Sequence, residues 1–352
     1  MVPTVICLSY LNHLKYIQPK IIVIFNILLI LVSLMCILIV YQSTGIIPIL
    51  ADNPLIAKHY EGVDNFITVK PFVYLSQQLL SVSALLSLML IFNYYNPKFI
   101  HKVFSVLLFV LIILLLLIQM KRGPLLLPVL TIAGGMLLNK RIRPIHFIMI
   151  FSVLLIVAML IWSINRNVNI EELLFALSMS FGVEFRELTR ITSTWLSMHN
   201  TDYALGMTYL SSLLSFMPSS VFPFKQTYHV GMFVNKYLGY SEDVLSGSPR
   251  VTYLGEAFLN FGFFGIIIIS FLVGYLIKLI NSIYNHVVLS CYDVRTVYIF
   301  VFITFILSFL TCGSIFMQDF FIFIIWTTLL IMFNKLYKLI IFISKNRNEE
   351  IC

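Results

Sequence analysis

The sequence predicts an all-α integral membrane protein of about eight spans, eight to ten in all, and three observations carry that prediction. Apolar residues make up 60% of the 352-residue chain and charged residues only 11%; a soluble domain holds about 45–50% and about 25%. The mean hydropathy is +0.98. The apolar residues also gather in runs of the length a helix needs to cross a hydrocarbon core, about 17–25 residues. So little charge cannot hydrate a globule of this size, and lipid is left as the solvent for most of the surface. The whole chain, 1–352, reads as one membrane domain.

The apolar runs lie at about 21–41, 71–93, 103–120, 124–139, 145–164, 262–282, 296–313 and 319–336. The first starts near Ile21, is too long for the core of a cleaved signal and has no small-residue cleavage site after it, so it should be an uncleaved anchor. The fourth is short and opens at Pro124, which a first helical turn tolerates because its N–H is not needed there. Residues 1–17 and 172–183 are partly apolar and are the candidates for additional or re-entrant segments. Residues 165–261 form the longest polar stretch. It is too rich in Phe, Tyr, Trp and Leu for a disordered linker, so it should fold as a partly helical loop on one membrane face. No solenoid repeat and no inverted duplication of the transporter kind is present.

Charge orients these spans. The net charge is +8, but the cations are scattered between apolar runs and form no continuous stripe, which argues against a nucleic-acid partner. With a cytoplasmic N-terminus, one side receives Lys15, Lys20, Lys98, Lys102, Lys140, Arg141, Arg143, Lys278, Arg295, Lys335, Lys338, Lys345 and Arg347, thirteen of the 23 Lys and Arg. By the positive-inside rule both termini are then cytoplasmic and loop 165–261 lies on the outer face. Lys121-Arg122 is the exception, a basic pair on the outer face. The five cysteines, Cys7, Cys36, Cys291, Cys312 and Cys352, sit in or beside apolar runs away from the long loop. No disulfide and no metal site is expected from them.

Four groups of residues carry candidate chemistry. Arg122, with Lys121, either snorkels to the headgroups or grips a lipid-linked phosphate, which a guanidinium fork fits in two-pronged fashion. Phe181, Phe185, Leu188, Ile191 and Trp195 recur at helical spacing and make an apolar stripe, with Arg186 and Arg190 on the opposite face. That pattern fits a helix lying on the membrane, whose arginines either meet substrate or are simply wet beside Glu184 and Glu187. Arg250 precedes Tyr253, Glu256 and Asn260 at the head of the sixth span. Glu256 and Asn260 are four apart and share a helix face, while Gly255, Gly262 and Gly265 allow close packing. An acid there also serves as an ordinary dipole partner. His229, in a polar loop, is either a general base or incidental, and Asp319, after the turn 313–318, stands likewise.

Several absences narrow the field. There is no phosphate-binding P-loop, no Gly-x-Ser-x-Gly elbow and no Asp-x-Asp pair in the outer loop. The spans lack the central Asp, Glu or Lys on which ion-coupled transport depends.

Four stretches resemble the bacterial O-antigen polymerases, the Wzy-type oligosaccharide repeat-unit polymerases. Arg122-Gly123-Pro124-Leu125-Leu126 after an apolar span is similar to that family's arginine turn, as is the long outer loop rich in Arg, Pro and Tyr. The most specific is Gly255-Glu256-Ala257-Phe258-Leu259-Asn260-Phe261-Gly262, opening a late span. The turn Met317-Gln318-Asp319-Phe320 is similar to the family's penultimate loop, although members commonly carry an arginine where this chain has Gln318. The resemblance covers about residues 20–335. It implies a metal-independent membrane glycosyltransferase of the GT-C-like, lipid-linked-donor class, without a cofactor. Its partners would be an undecaprenyl-diphosphate-linked oligosaccharide, membrane lipid and a polysaccharide chain-length regulator. Arg250, Arg186 and Arg190 would then stabilise the diphosphate leaving group, with Glu256 the first candidate for general base and His229 the second. Arg122, Lys121, Tyr253 and Asn260 would bind substrate. Two alternatives stand beside this reading: an O-antigen ligase of the same fold, and a non-enzymatic flippase for lipid-linked oligosaccharides.

Overall fold

The computed structural model describes residues 2–50, 66–119, 123–166, 203–214, 221–237, 251–287, 294–313 and 317–349. Among them there are helices and no strand. The helices are α1 (Val2–Lys15), α2 (Pro19–Thr44), α3 (Phe66–Ile91), α4 (Phe99–Ile118), α5 (Gly123–Leu138), α6 (Pro144–Arg166), α7 (Met207–Leu213), α8 (Phe224–Thr227), α9 (Val230–Tyr237), α10 (Tyr253–Val287), α11 (Arg295–Cys312) and α12 (Met317–Glu349). Every expected apolar run falls on one of α2–α6 or α10–α12. Among the described residues five segments are long and apolar enough to cross a membrane: α2, Pro71–Ile91, α4, α10 and Ile322–Ile340. Leu126–Leu138, Pro144–Leu154 and Arg295–Leu310 are shorter apolar helices. The chain is therefore an all-α protein built for a bilayer. Helix α1, with 14 residues, rises only about 21 Å, short of the ~30 Å hydrocarbon core.

The chain divides into two compact units, one of residues 1–168, 283–300 and 323–352, the other of 169–282 and 301–322. In the first, α2 packs on α3, and α3 on α4 and α5. Ile30, Leu80, Ala84, Ile112, Leu115 and Leu116 form its apolar centre. Lipid supplies no hydrophobic drive between helices, so polar bonds and small residues do more of the holding. Asn26, fully buried in α2, donates from Nδ2 to Ser87 Oγ (2.7 Å) and accepts at Oδ1 from Ser83 Oγ (2.6 Å). Two turns on, Ser33 donates to the Ser76 carbonyl. In α5, Gly134 and Gly135 admit α11: a Cβ on Gly134 would enter the Phe300 ring, and one on Gly135 would meet Val297 at 2.7 Å.

Helices α3 and α5 end alike. Asn93 and Lys140 take left-handed φ of 62° and 56°. The N–H groups of the next residues, Tyr94 and Arg141, reach back to the carbonyls of Met89 and Met136 at 3.0 and 2.9 Å. Asn93 and Lys140 themselves bond Leu90 and Leu137. Both ends are Schellman caps, which satisfy carbonyls that the finished helix leaves open. The caps bring Arg141 over the Tyr94 ring, 4.4 Å from its centroid, with Nη1 donating to the Phe92 carbonyl at 2.9 Å. At another place in the unit Lys20 lies over Tyr337. Ends that the charge rule sends to one side thus meet in pairs.

In the second unit, the described parts of the long loop are the helices α7, α8 and α9, which pack on one another. Val230 and Val234 of α9 join Val251, Phe258 and Leu259 in a small core. Along α10, Phe264, Ile267 and Phe271 are 77%, 67% and 76% exposed. A continuous apolar face of that kind is stable against lipid and not against water.

Candidate functional site

The site is built where α10 breaks. Thr252 caps the helix, its Oγ1 accepting from the Gly255 N–H, as a hydroxyl at that position does for an unpaired first-turn donor. Three turns later Gly262 adopts φ 62° and ψ −149°, a backbone region open essentially to glycine alone. The break leaves carbonyls of the first segment without helical donors, and a distant strand of loop takes them: Ala204 N–H donates to the Leu259 carbonyl and Leu205 N–H to that of Asn260, both at 3.1 Å. Beyond the break the chain doubles back, so that a Cβ on Gly265 would strike the Ala257 carbonyl.

The loop that answers the break is itself strained. Leu205 and Gly206 both have positive φ, 47° and 86°, and Met207 N–H bonds the Ala204 carbonyl at 2.8 Å, a turn with two left-handed central residues. Tight fit accounts for the two glycines. A Cβ on Gly206 would lie 3.1 Å from the Phe261 ring, and one on Gly262 2.9 Å from the Tyr203 hydroxyl.

This turn delivers Thr208 to Glu256. Both, with Asn260, are fully enclosed, Glu256 and Asn260 at 0% exposure. Thr208 Oγ1 donates to Glu256 Oε1 at 2.7 Å and accepts from Asn260 Nδ2 at 2.6 Å. The second hydrogen of Asn260 Nδ2 goes to the Glu256 carbonyl at 2.8 Å, and Oδ1 accepts from Gly206 N–H at 2.8 Å. The amide therefore has its orientation set by partners on three sides. Across the carboxylate lies Gly313, after α11, with φ 63°; a Cβ there would collide with Glu256 Oε2. Tyr209, next to Thr208, buries a hydroxyl that has no hydrogen-bond partner among the described residues. Burial first, and the Glu256 charge second, push that phenol well above its ordinary range.

The spacing argument that put Glu256 and Asn260 on one face agrees with this geometry. Asn260, expected to bind substrate, has both amide hydrogens committed inside the protein. Tyr253, expected beside it, packs its ring against Phe309, 6.2 Å between centroids. His229 stands at the head of α9, exposed, its carbonyl accepting from Phe233 N–H. Lys121, Arg122, Arg186, Arg190 and Arg250 lie outside the described residues. Thr208, Gly206, Tyr209 and Gly313 belong to the site without having been singled out in the sequence. Thr208 is 48 positions from Glu256, and no local pattern announces such a contact. Among the described residues no group of three or more His, Cys, Asp or Glu gathers as a metal set would. No protein-family model matches the chain, and comparisons with curated proteins and with solved structures find no match either.

Proposed function

We propose that this chain is a bacterial inner-membrane glycosyltransferase that polymerises oligosaccharide repeat units, as O-antigen polymerases do. In this reading all eight apolar helices span the bilayer, both termini are cytoplasmic, and the helical loop 165–261 works at the periplasmic face. The observation that carries it is the enclosed carboxylate of Glu256, held within the very stretch, 255–262, that resembles the polymerase family. A buried carboxylate is costly unless it is hydrogen-bonded, so the elaborate hold on this one favours a functional role.

The reaction breaks the bond between the anomeric carbon of the growing glycan and its undecaprenyl diphosphate. A bond forms from that carbon to a hydroxyl oxygen of the incoming lipid-linked unit, and the hydroxyl proton passes to a base. Charge develops on the departing diphosphate, and fixed cations there lower the barrier. Arg122, Arg186, Arg190 and Arg250 are the cations assigned to that task, with Lys121 beside them. Arg250 directly precedes Val251, which is buried in the core next to the Glu256 helix. The enclosure of Glu256 supports a positioning role for it, and the exposure of His229 makes that side chain the better proton acceptor.

The test is polymer length in a strain lacking the gene, complemented with Ala variants of Arg122, Arg186, Arg190, Arg250, His229 and Glu256 at matched protein abundance. Loss of polymer in Arg250→Ala and in at least one of Arg186→Ala and Arg190→Ala, with one repeat unit left on each lipid, is expected. Bare acceptor with polymer stranded on its carrier would indicate a ligase instead. Full-length glycan from every variant would remove the assignment.

A further inference from the structure

A threonine within a helix can turn its hydroxyl back to a carbonyl of the preceding turn, as Thr131 and Thr304 do to Leu127 and Val301. Thr208, the second residue of α7, sends its hydroxyl instead to Glu256 Oε1, 48 positions along the chain. The direction of that bond is forced by the groups behind it. Gly206 N–H can only donate, so the Asn260 side-chain oxygen faces it. The Asn260 nitrogen is then left to donate to Thr208 Oγ1, and the single hydrogen of the hydroxyl goes to the carboxylate. A hydrogen bond onto a carboxylate oxygen is about twice as strong as one between neutral groups. The attachment of the turn to α10 is separate. Three successive N–H groups, of Ala204, Leu205 and Gly206, donate to the Leu259 carbonyl, the Asn260 carbonyl and the Asn260 side chain, and none of these bonds involves residue 208.

We propose that Thr208 is a positioning residue for the glycosyl transfer: its hydroxyl fixes the rotation of the Glu256 carboxylate, while the backbone N–H groups beside it hold the turn. This rests on the polymerase reading and deepens it, because there Glu256 acts through its placement. The carboxylate cannot turn about its last bond without breaking the Thr208 link, and Thr208 cannot follow it without releasing Asn260. A site misplaced by about 1 Å loses about 100-fold in rate, so one directed hydroxyl has leverage on the reaction. Valine keeps the shape of threonine without the donor, and serine keeps the donor without the methyl.

The test compares full-length wild type, Thr208→Val and Thr208→Ser in the strain lacking the gene, scoring both protein abundance and polymer formed. Thr208→Val should accumulate like wild type and lose roughly tenfold or more of its polymerisation, and Thr208→Ser should restore it to within about twofold. Full activity in Thr208→Val would overturn the proposal. So would a serine variant as impaired as the valine one, which would assign the effect to the methyl. A valine variant that fails to accumulate beside a normal serine variant would assign the hydroxyl to folding and overturn it as well. These three results leave the polymerase reading standing. A wild type that makes no polymer would instead overturn that reading, and this proposal with it.

Discussion

Two asparagines, Asn26 and Asn260, are equally buried and do different work. Asn26 sits within a regular helix and bonds only side chains, the serines of the neighbouring α3. Asn260 sits two residues before a helix break and bonds a loop N–H, a helical carbonyl and the Thr208 hydroxyl that reaches Glu256. In the first case the backbone is ordinary and the polar group joins two helices. In the second, three left-handed positions at Leu205, Gly206 and Gly262 are accepted in order to place one carboxylate. Strained backbone persists where the surroundings over-determine it, and such places tend to be functional. The contrast separates a contact that joins two helices from the place to which the proposed function assigns the reaction.

Substitutions can break or sharpen that contrast. The largest effect belongs to Glu256. Glu256→Ala should reduce polymerisation by about 100-fold or more, since misplacement of a site by about 1 Å costs that much. If its role is positioning, Glu256→Gln should restore most of the activity, with the pH profile unchanged. If it is itself the base, Gln will be as inactive as Ala. Next comes Gly313→Ala, whose new methyl meets the carboxylate in a left-handed backbone. It should lower activity at least about tenfold, measured by polymer length at matched abundance. Asn26→Ala should act on the other side of the comparison, destabilising the fold by about 1–2 kcal/mol through two lost interhelical bonds. Thermal unfolding in detergent would show it, and activity per folded molecule should be unchanged. The smallest effect is a gain. Lys140→Gly removes a side chain from a left-handed position and should stabilise by about 1 kcal/mol, again read by thermal unfolding.

Much of the fold was legible because a bilayer imposes length and polarity on every span. The runs that became α2–α6 and α10–α12 stood out by those criteria alone, and the i, i+4 spacing of Glu256 and Asn260 gave their common face. What sequence could not give was the meaning of single glycines. Gly262 suggested close helix packing, whereas it marks a backbone break; Gly313 marked only the start of the turn 313–318, whereas its missing Cβ makes room for a carboxylate. The pairing of Asn26 with Ser83 and Ser87 was equally hidden, because a polar residue in a span has many possible partners and periodicity does not choose among them. Thr208 depends on a turn with positive φ at Leu205, a residue type that gives no hint of it.

The central claim is that the chain forms glycosidic bonds between lipid-linked units. Its most direct measurement is reconstitution of the purified protein in liposomes with undecaprenyl-diphosphate-linked repeat units and no added metal. The account predicts a ladder of longer glycans together with released undecaprenyl diphosphate, both lost with Arg250→Ala. Units carried across the bilayer without any new bond between sugars would contradict it.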